Sequence, residues 1–266
     1  GYGGNSAGAF LTAHPDVDGF TFTGETRTGE LIMQSAAKGV RDISLELGGK
    51  NAGIVFADCD MDKAVEGTMR SAFANCGQVC LGTERVYVER SIFDEFVARL
   101  KAEAEKLVIG APDDPTANLG PLISQKQRDK VLSYYQKAVE DGATVVTGGG
   151  VPDMPEALKN GSWVQPTIWT GLSDESAVVN EEIFGPCCHI QPFDTEEEAI
   201  YQANRLPYGL ASAVWTENIS RAARVAGQIE AGIVWVNSWF LRDLRTAFGG
   251  SKQSGIGLEG GEHSLE

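Results

Sequence analysis

Residues 17–47 read VDGFTFTGETRTGELIMQSAAKGVRDISLEL, and the change of pattern within them decides the fold class. Val17 to Thr23 has the β-branched and aromatic content of a strand, Thr26 to Lys38 reads as a helix, and Asp42 to Leu47 as a second strand. Strand, helix and strand in succession form the alternation of a parallel α/β sheet. Upstream, Gly1-Tyr2-Gly3-Gly4 leads into a helix predicted at about Ser6 to Ala13. Gly1, Gly3 and Gly8 do not make a GxGxxG spacing, because Ser6 holds the sixth position, so the opening reads as a plain turn. With no initiator methionine and no strand before these glycines, the chain reads as part of a longer protein.

Downstream the alternation continues. Met61, Val65, Met69, Ala72 and Phe73 recur at helical spacing, with Asp60 placed to cap the first turn. A strand at Glu84 to Glu89 and a helix from Ser91 follow. Ser124-x-x-Gln127 has capping-box form and opens a helix to about Glu140. Strands are predicted at Ala143 to Thr147, Trp163 to Trp169, Cys187 to Phe193, Leu210 to Trp215 and Gly232 to Val236, with helices after the Thr195 cap to Asn204 and over Ser220 to Ile229. The Met and Phe stripes read as core.

Two stretches carry chemistry. Leu45-Glu46-Leu47-Gly48-Gly49-Lys50 ends a strand in a carboxylate beside glycines, and Phe73-Ala74-Asn75-Cys76-Gly77-Gln78-Val79-Cys80 ends a helix in a thiol beside a glycine. A thiolate adds to carbonyl carbon, which calls for an electropositive, partly exposed setting. The Cys80 amide is placed to donate to the resulting oxyanion, Gly77 lets backbone approach a ligand, and Glu46 is placed to activate a water. The competing reading makes Cys80 a small buried apolar residue and Glu46 a solvated strand end.

These two stretches resemble the signature motifs of the aldehyde dehydrogenase superfamily in order and spacing. The resemblance runs on through Phe22-Thr23-Gly24, Gly120-Pro121-Leu122-Ile123, Gln165-Pro166-Thr167, Glu181-Glu182-Ile183-Phe184-Gly185-Pro186, Gly209-Leu210-Ala211 and Phe248-Gly249-Gly250-Ser251-Lys252-Gln253-Ser254-Gly255, so it spans the chain. It implies an α/β fold: the C-terminal part of a Rossmann-like NAD-binding domain at 1–47, a catalytic domain at 48–247, and at 248–266 the start of a segment leading to an oligomerisation tail. Cys80 matches the nucleophile and Glu46 the general base. Gly24, Leu47, Glu182 and Phe184 match cofactor contacts, Glu182 accepting ribose hydroxyl hydrogen bonds and Phe184 packing on the nicotinamide side. The implied cofactor is NAD, with NADP left open. Asn237 to Arg245 is similar to the branch acting on muconic-type semialdehydes, in which an arginine matching Arg242 binds the substrate carboxylate and Trp239 and Phe240 pack on its face. The alternative partner for Arg242 is Asp243 or another surface acid. Glu25 departs from the small hydroxyl residue common there, and a carboxylate repels a pyrophosphate. Leu258 stands where arginine is common. Besides oxidation of general aldehydes, two other functions stay open, transfer to coenzyme A in place of water and a non-catalytic binding or structural role. The presence of Glu46 argues against the first, and the intact Cys80 and Glu46 pair against the second.

Composition narrows the partners. The 266 residues carry a formal charge of −15, which repels nucleic acid and anionic membrane. The partners expected are a small aldehyde and further copies of the same chain. Five cysteines without framework spacing point to a reducing, cytoplasmic setting. No CxxC occurs, His14, His189 and His263 stand apart, and no metal site is predicted.

Overall fold

The computed structural model describes residues 7–265; the glycine-rich opening and Ser6 lie outside the described residues. In chain order the elements are α1 (Ala7–Ala13), β1 (Gly19–Thr23), α2 (Thr26–Ala36), β2 (Asp42–Glu46), β3 (Asn51–Val55), α3 (Met61–Phe73), β4 (Thr83–Glu89), α4 (Phe93–Ala104), α5 (Gln125–Glu140), β5 (Thr144–Thr147), β6 (Thr167–Thr170), α6 (Ala177–Asn180), β7 (Cys187–Phe193), α7 (Glu196–Asn204), β8 (Tyr208–Gly209), β9 (Ala211–Trp215), α8 (Ile219–Ala226), β10 (Ile233–Val236), β11 (Ser251–Lys252) and β12 (Gly255–Ile256).

Two larger sheets organise these elements, and β8 and β11 form a separate antiparallel pair. A seven-stranded sheet runs β10-β9-β3-β4-β7-β6-β5, parallel except for β5, and a three-stranded sheet runs β1-β2-β12 with β12 antiparallel. β3 was not anticipated. All five of its residues are buried, so it lacks the polar alternation that marks a half-exposed strand. The strand expected over 163–169 is real only from Thr167, because Pro166 has no N–H to place in a ladder. The helix expected from Ser91 starts after a single 3₁₀ turn, with α4 beginning at Phe93.

Helix caps form as the sequence predicts, with one difference. Asp60, Ser124 and Thr195 each accept the amide three residues on. The reciprocal half of the capping box is absent, because Gln127 sends its side-chain amide to the carbonyls of Ile183 and Phe184 instead. The main core lies between α3, α4, α5 and the sheet, with Phe73, Phe96, Trp169 and Ile190 buried and Met61 and Met69 packed at its edge. The thiol loop therefore leaves α3 from a rigid base.

Candidate active site

Glu46 ends β2, between β1 and β12, opposite Gly255 in the antiparallel pairing. The Leu47 amide is tied to the Ser254 carbonyl at 2.8 Å, and Leu47 presses on Gly29 of α2, where a Cβ would stand 2.6 Å from its methyl carbon. These contacts aim the Glu46 carboxylate into a cleft of about 630 Å³. Only 5 % of Glu46 is exposed, and neither carboxylate oxygen has a hydrogen-bond partner among the described residues. Burial first, and the neighbouring Glu259 second, push its carboxyl up to about 7, against an opposing pull from Arg242. Such a carboxyl exchanges a proton near neutrality.

Beyond α3 the chain passes through left-handed backbone at Asn75, Cys76 and Gly77 and then presents Cys80 to the same cleft. Gly77 has a different job from the one its motif suggested. Its φ is +68°, and a Cβ there would stand 1.9 Å from the Gly185 carbonyl oxygen, so the missing side chain admits the Gly185-Pro186 turn and not a ligand. Asn51 anchors the loop: its side-chain amide donates to the carbonyls of Cys80 at 2.7 Å and Gly82 at 2.8 Å, and its oxygen accepts from Ala211.

The surroundings of the thiol are electronegative, not electropositive. Burial raises its pKa most, and the Glu182 and Glu46 carboxylates raise it further; the Cys80 and Leu81 amides, directed at the sulfur, offset part of this. A thiol so placed is protonated at neutral pH and needs a base, which Glu46 can be.

Gly24, Leu47, Glu182 and Phe184 line the cleft on one side, Phe240 and Arg242 on another. Glu182 Oε1 accepts the Gly49 amide at 2.9 Å, and a Cβ on Gly48 would fall 2.6 Å from Oε2. Burial and the nearby Glu84 push the Glu182 carboxyl up to about 7. Arg242 is exposed and stacks on the Phe248 ring, its guanidinium carbon 4.1 Å from the centroid, and the pair formed with Asp243 belongs to Arg245 instead. Trp239 is not brought to this cleft. It is buried behind Phe240, stacked at 5.0 Å, with its indole N–H donating to the Leu81 carbonyl, and it lines the adjacent groove.

Two carboxylates were missed. Glu259 faces the cleft because Phe248 and Glu259 exchange backbone hydrogen bonds, a pairing that no local pattern announces. Glu84 is the second residue of β4, beside Arg85, and both are buried; two adjacent charges near the head of an apolar strand point to opposite faces, which was the available signal. His189 lies on β7 with its Nε2 accepting the Leu172 amide, and burial pulls its pKa down to about 4. Among the described residues no three His, Cys, Asp or Glu side chains gather as a metal site. No described helix is long and apolar enough to cross a membrane.

One cleft thus holds a carboxylate of raised pKa at the end of β2 and a thiol on the loop after α3, the pairing of groups that covalent carbonyl chemistry calls for. Over residues 2–266 the chain matches the aldehyde dehydrogenase family, and it belongs to that family. It is 82 % identical over 266 residues to the 2-hydroxymuconic semialdehyde dehydrogenase of Pseudomonas putida, covering 100 % of this chain and 55 % of that protein. It is 56 % identical over 265 residues to the 2-aminomuconic 6-semialdehyde dehydrogenase of a Pseudomonas species, 54 % of which is covered. A solved betaine aldehyde dehydrogenase from Staphylococcus aureus, a point mutant in complex with NAD+, superposes with a TM-score of 0.94 at 40 % identity, over 97 % of this chain and 52 % of that one. The chain thus spans about half the length of the relatives it matches.

Proposed function

We propose that the protein oxidises an aldehyde carrying a carboxylate, of the muconic semialdehyde type, to the corresponding acid with NAD as hydride acceptor. The observation that carries this reading is Arg242, without a salt bridge among the described residues, held on Phe248 and lining the cleft shared by Cys80 and Glu46. A guanidinium that forms no salt bridge among the described residues and reaches Glu46 only through its field is matched to a substrate carboxylate. The names of the relatives from Pseudomonas agree with that substrate class.

The cleft fits the cofactor. Glu182 has one oxygen fixed by the Gly49 amide and the other turned to the space that Gly48 leaves free of a Cβ, an arrangement suited to accepting ribose hydroxyls. Phe184 packs on the same side, and Gly24 and Leu47 close the wall; when bound, NAD supplies the acceptor for hydride. NADP is the alternative.

In this mechanism Cys80 loses its proton to Glu46 and adds to the aldehyde carbon. The Cys80 amide then stabilises the tetrahedral alkoxide, which collapses to a thioester as hydride departs. Glu46 passes the proton from Cys80 to solvent and, again a carboxylate, takes one from water, whose oxygen forms the new bond to the acyl carbon while the carbon–sulfur bond breaks and Cys80 leaves as thiolate. Arg242 holds the distant carboxylate and Phe240, backed by Trp239, packs on the conjugated chain. We assign residues 1–47 to the cofactor domain, 48–247 to the catalytic domain and 248–266 to the start of a tail leading to a homo-oligomer in the cytoplasm.

Turnover of 2-hydroxymuconic semialdehyde by the full-length protein tests the reading. NADH formation should vanish in Cys80→Ala, and Arg242→Ala should raise KM about tenfold or more while leaving a simple uncharged aldehyde unaffected. Equal effects on both substrates would overturn the carboxylate clamp.

A further inference from the structure

We infer that the buried Lys50–Glu84 pair is a positioning device for the turn that carries Glu182; the inference rests on the reading of Glu182 as the ribose ligand. Glu84 accepts the Phe184 amide at 2.8 Å and the Ile183 amide at 3.0 Å, and its remaining partner is the Lys50 ammonium. On the far side of the same turn Gln127 donates to the carbonyls of Ile183 and Phe184, and Lys130 donates to that of Glu182 at 3.1 Å.

The turn needs this hold. Phe184 has φ +62°, a left-handed conformation that a bulky residue avoids when free. Lys50 directly follows Gly49, whose amide fixes the Glu182 carboxylate. The contacts therefore close a ring, from Gly49 to Glu182, along the chain to Ile183 and Phe184, across to Glu84, and through Lys50 back to Gly49. An ion pair this deeply buried adds little stability over an apolar pair of similar size. What an apolar pair cannot do is accept two amides and hold a strained turn, and that sets the place of Glu182.

The test is direct titration of NADH fluorescence with full-length protein, alongside melting temperature. Lys50→Met/Glu84→Met removes both charges together, and NADH affinity should fall about tenfold, as when only a tenth of the molecules keep the competent turn. Its melting temperature should fall by a few degrees, because the Ile183 and Phe184 amides lose their acceptor while the fold persists. Lys50→Met/Glu84→Gln keeps a carbonyl oxygen for the amides and should recover most of the affinity. Wild-type NADH affinity in the double Met variant, with Glu182→Ala weakened, would overturn the positioning role. Unchanged affinity in Glu182→Ala would overturn the ribose reading instead, and the inference with it. Should the double Met variant fail to fold, Gln127→Leu decides. This half-buried helix residue frees the turn from its other side, so weaker NADH binding supports the inference and unchanged binding overturns it.

Discussion

Glu46→Gln should cost the protein its turnover and stabilise its fold, with a gain that depends on pH. Neither oxygen of the buried Glu46 carboxylate has a partner, and its proton affinity in the folded state is raised from 4.5 to about 7. Each tenfold change in proton affinity corresponds to about 1.4 kcal/mol, so the ionised side chain opposes folding by about 3 kcal/mol at pH 8. The sign follows from linkage. A carboxyl whose folded pKa lies above its unfolded value binds more protons folded than unfolded between 4.5 and 7. Stability is therefore gained as pH falls through that window, and the penalty is complete only above about 7. Glutamine carries no such penalty, so the variant's advantage should be about 3 kcal/mol at pH 8 and under about 1 kcal/mol at pH 5. Urea unfolding of wild type and variant in parallel across pH 5 to 8 reads the difference. A stability gap that does not change with pH would refute the assignment of a raised, unpaired carboxyl, whatever became of activity.

The thiol and its glycine give two more predictions. Alkylation of Cys80 by iodoacetamide should show an inflection above that of a free thiol, and in Glu182→Gln the inflection should move down, since one of the repelling charges is gone; an inflection below that of a free thiol in the wild type would contradict the electronegative setting. Gly77→Ala places a Cβ into the Gly185 carbonyl from left-handed backbone and should destabilise the protein by about 2 to 5 kcal/mol, seen as a lower melting temperature together with lost turnover; a variant melting as wild type would show that the two turns do not abut.

Much of the architecture was legible because it is local. The caps at Asp60, Ser124 and Thr195 and the long helix α5 follow from residues within a few positions of one another. β3 was not legible, because a strand covered on both faces shows neither period, and NAGIV is too short to separate from a loop by composition. The cleft was legible as a list of parts: Glu46, Cys80, Glu182, Phe184, Phe240 and Arg242 all line it. Trp239 was read as one more such part because it adjoins Phe240, which reaches the cleft, yet its bulk and indole N–H are satisfied behind Phe240.

By itself the sequence determined which groups are available: a thiol and a carboxylate, each ending an ordered segment, an arginine beside aromatic rings, and glycines at both motifs. Those are chemical identities and short-range periodicities, and they survive in one dimension. The tertiary structure alone decided the environments. It set Glu259 against Glu46 through pairing across the chain, surrounded Cys80 with negative charge, and placed Glu84 under the turn that carries Glu182. Proton affinity and backbone strain depend on what is close in space and on how much water has been removed, and both are set by contacts between residues far apart in the chain.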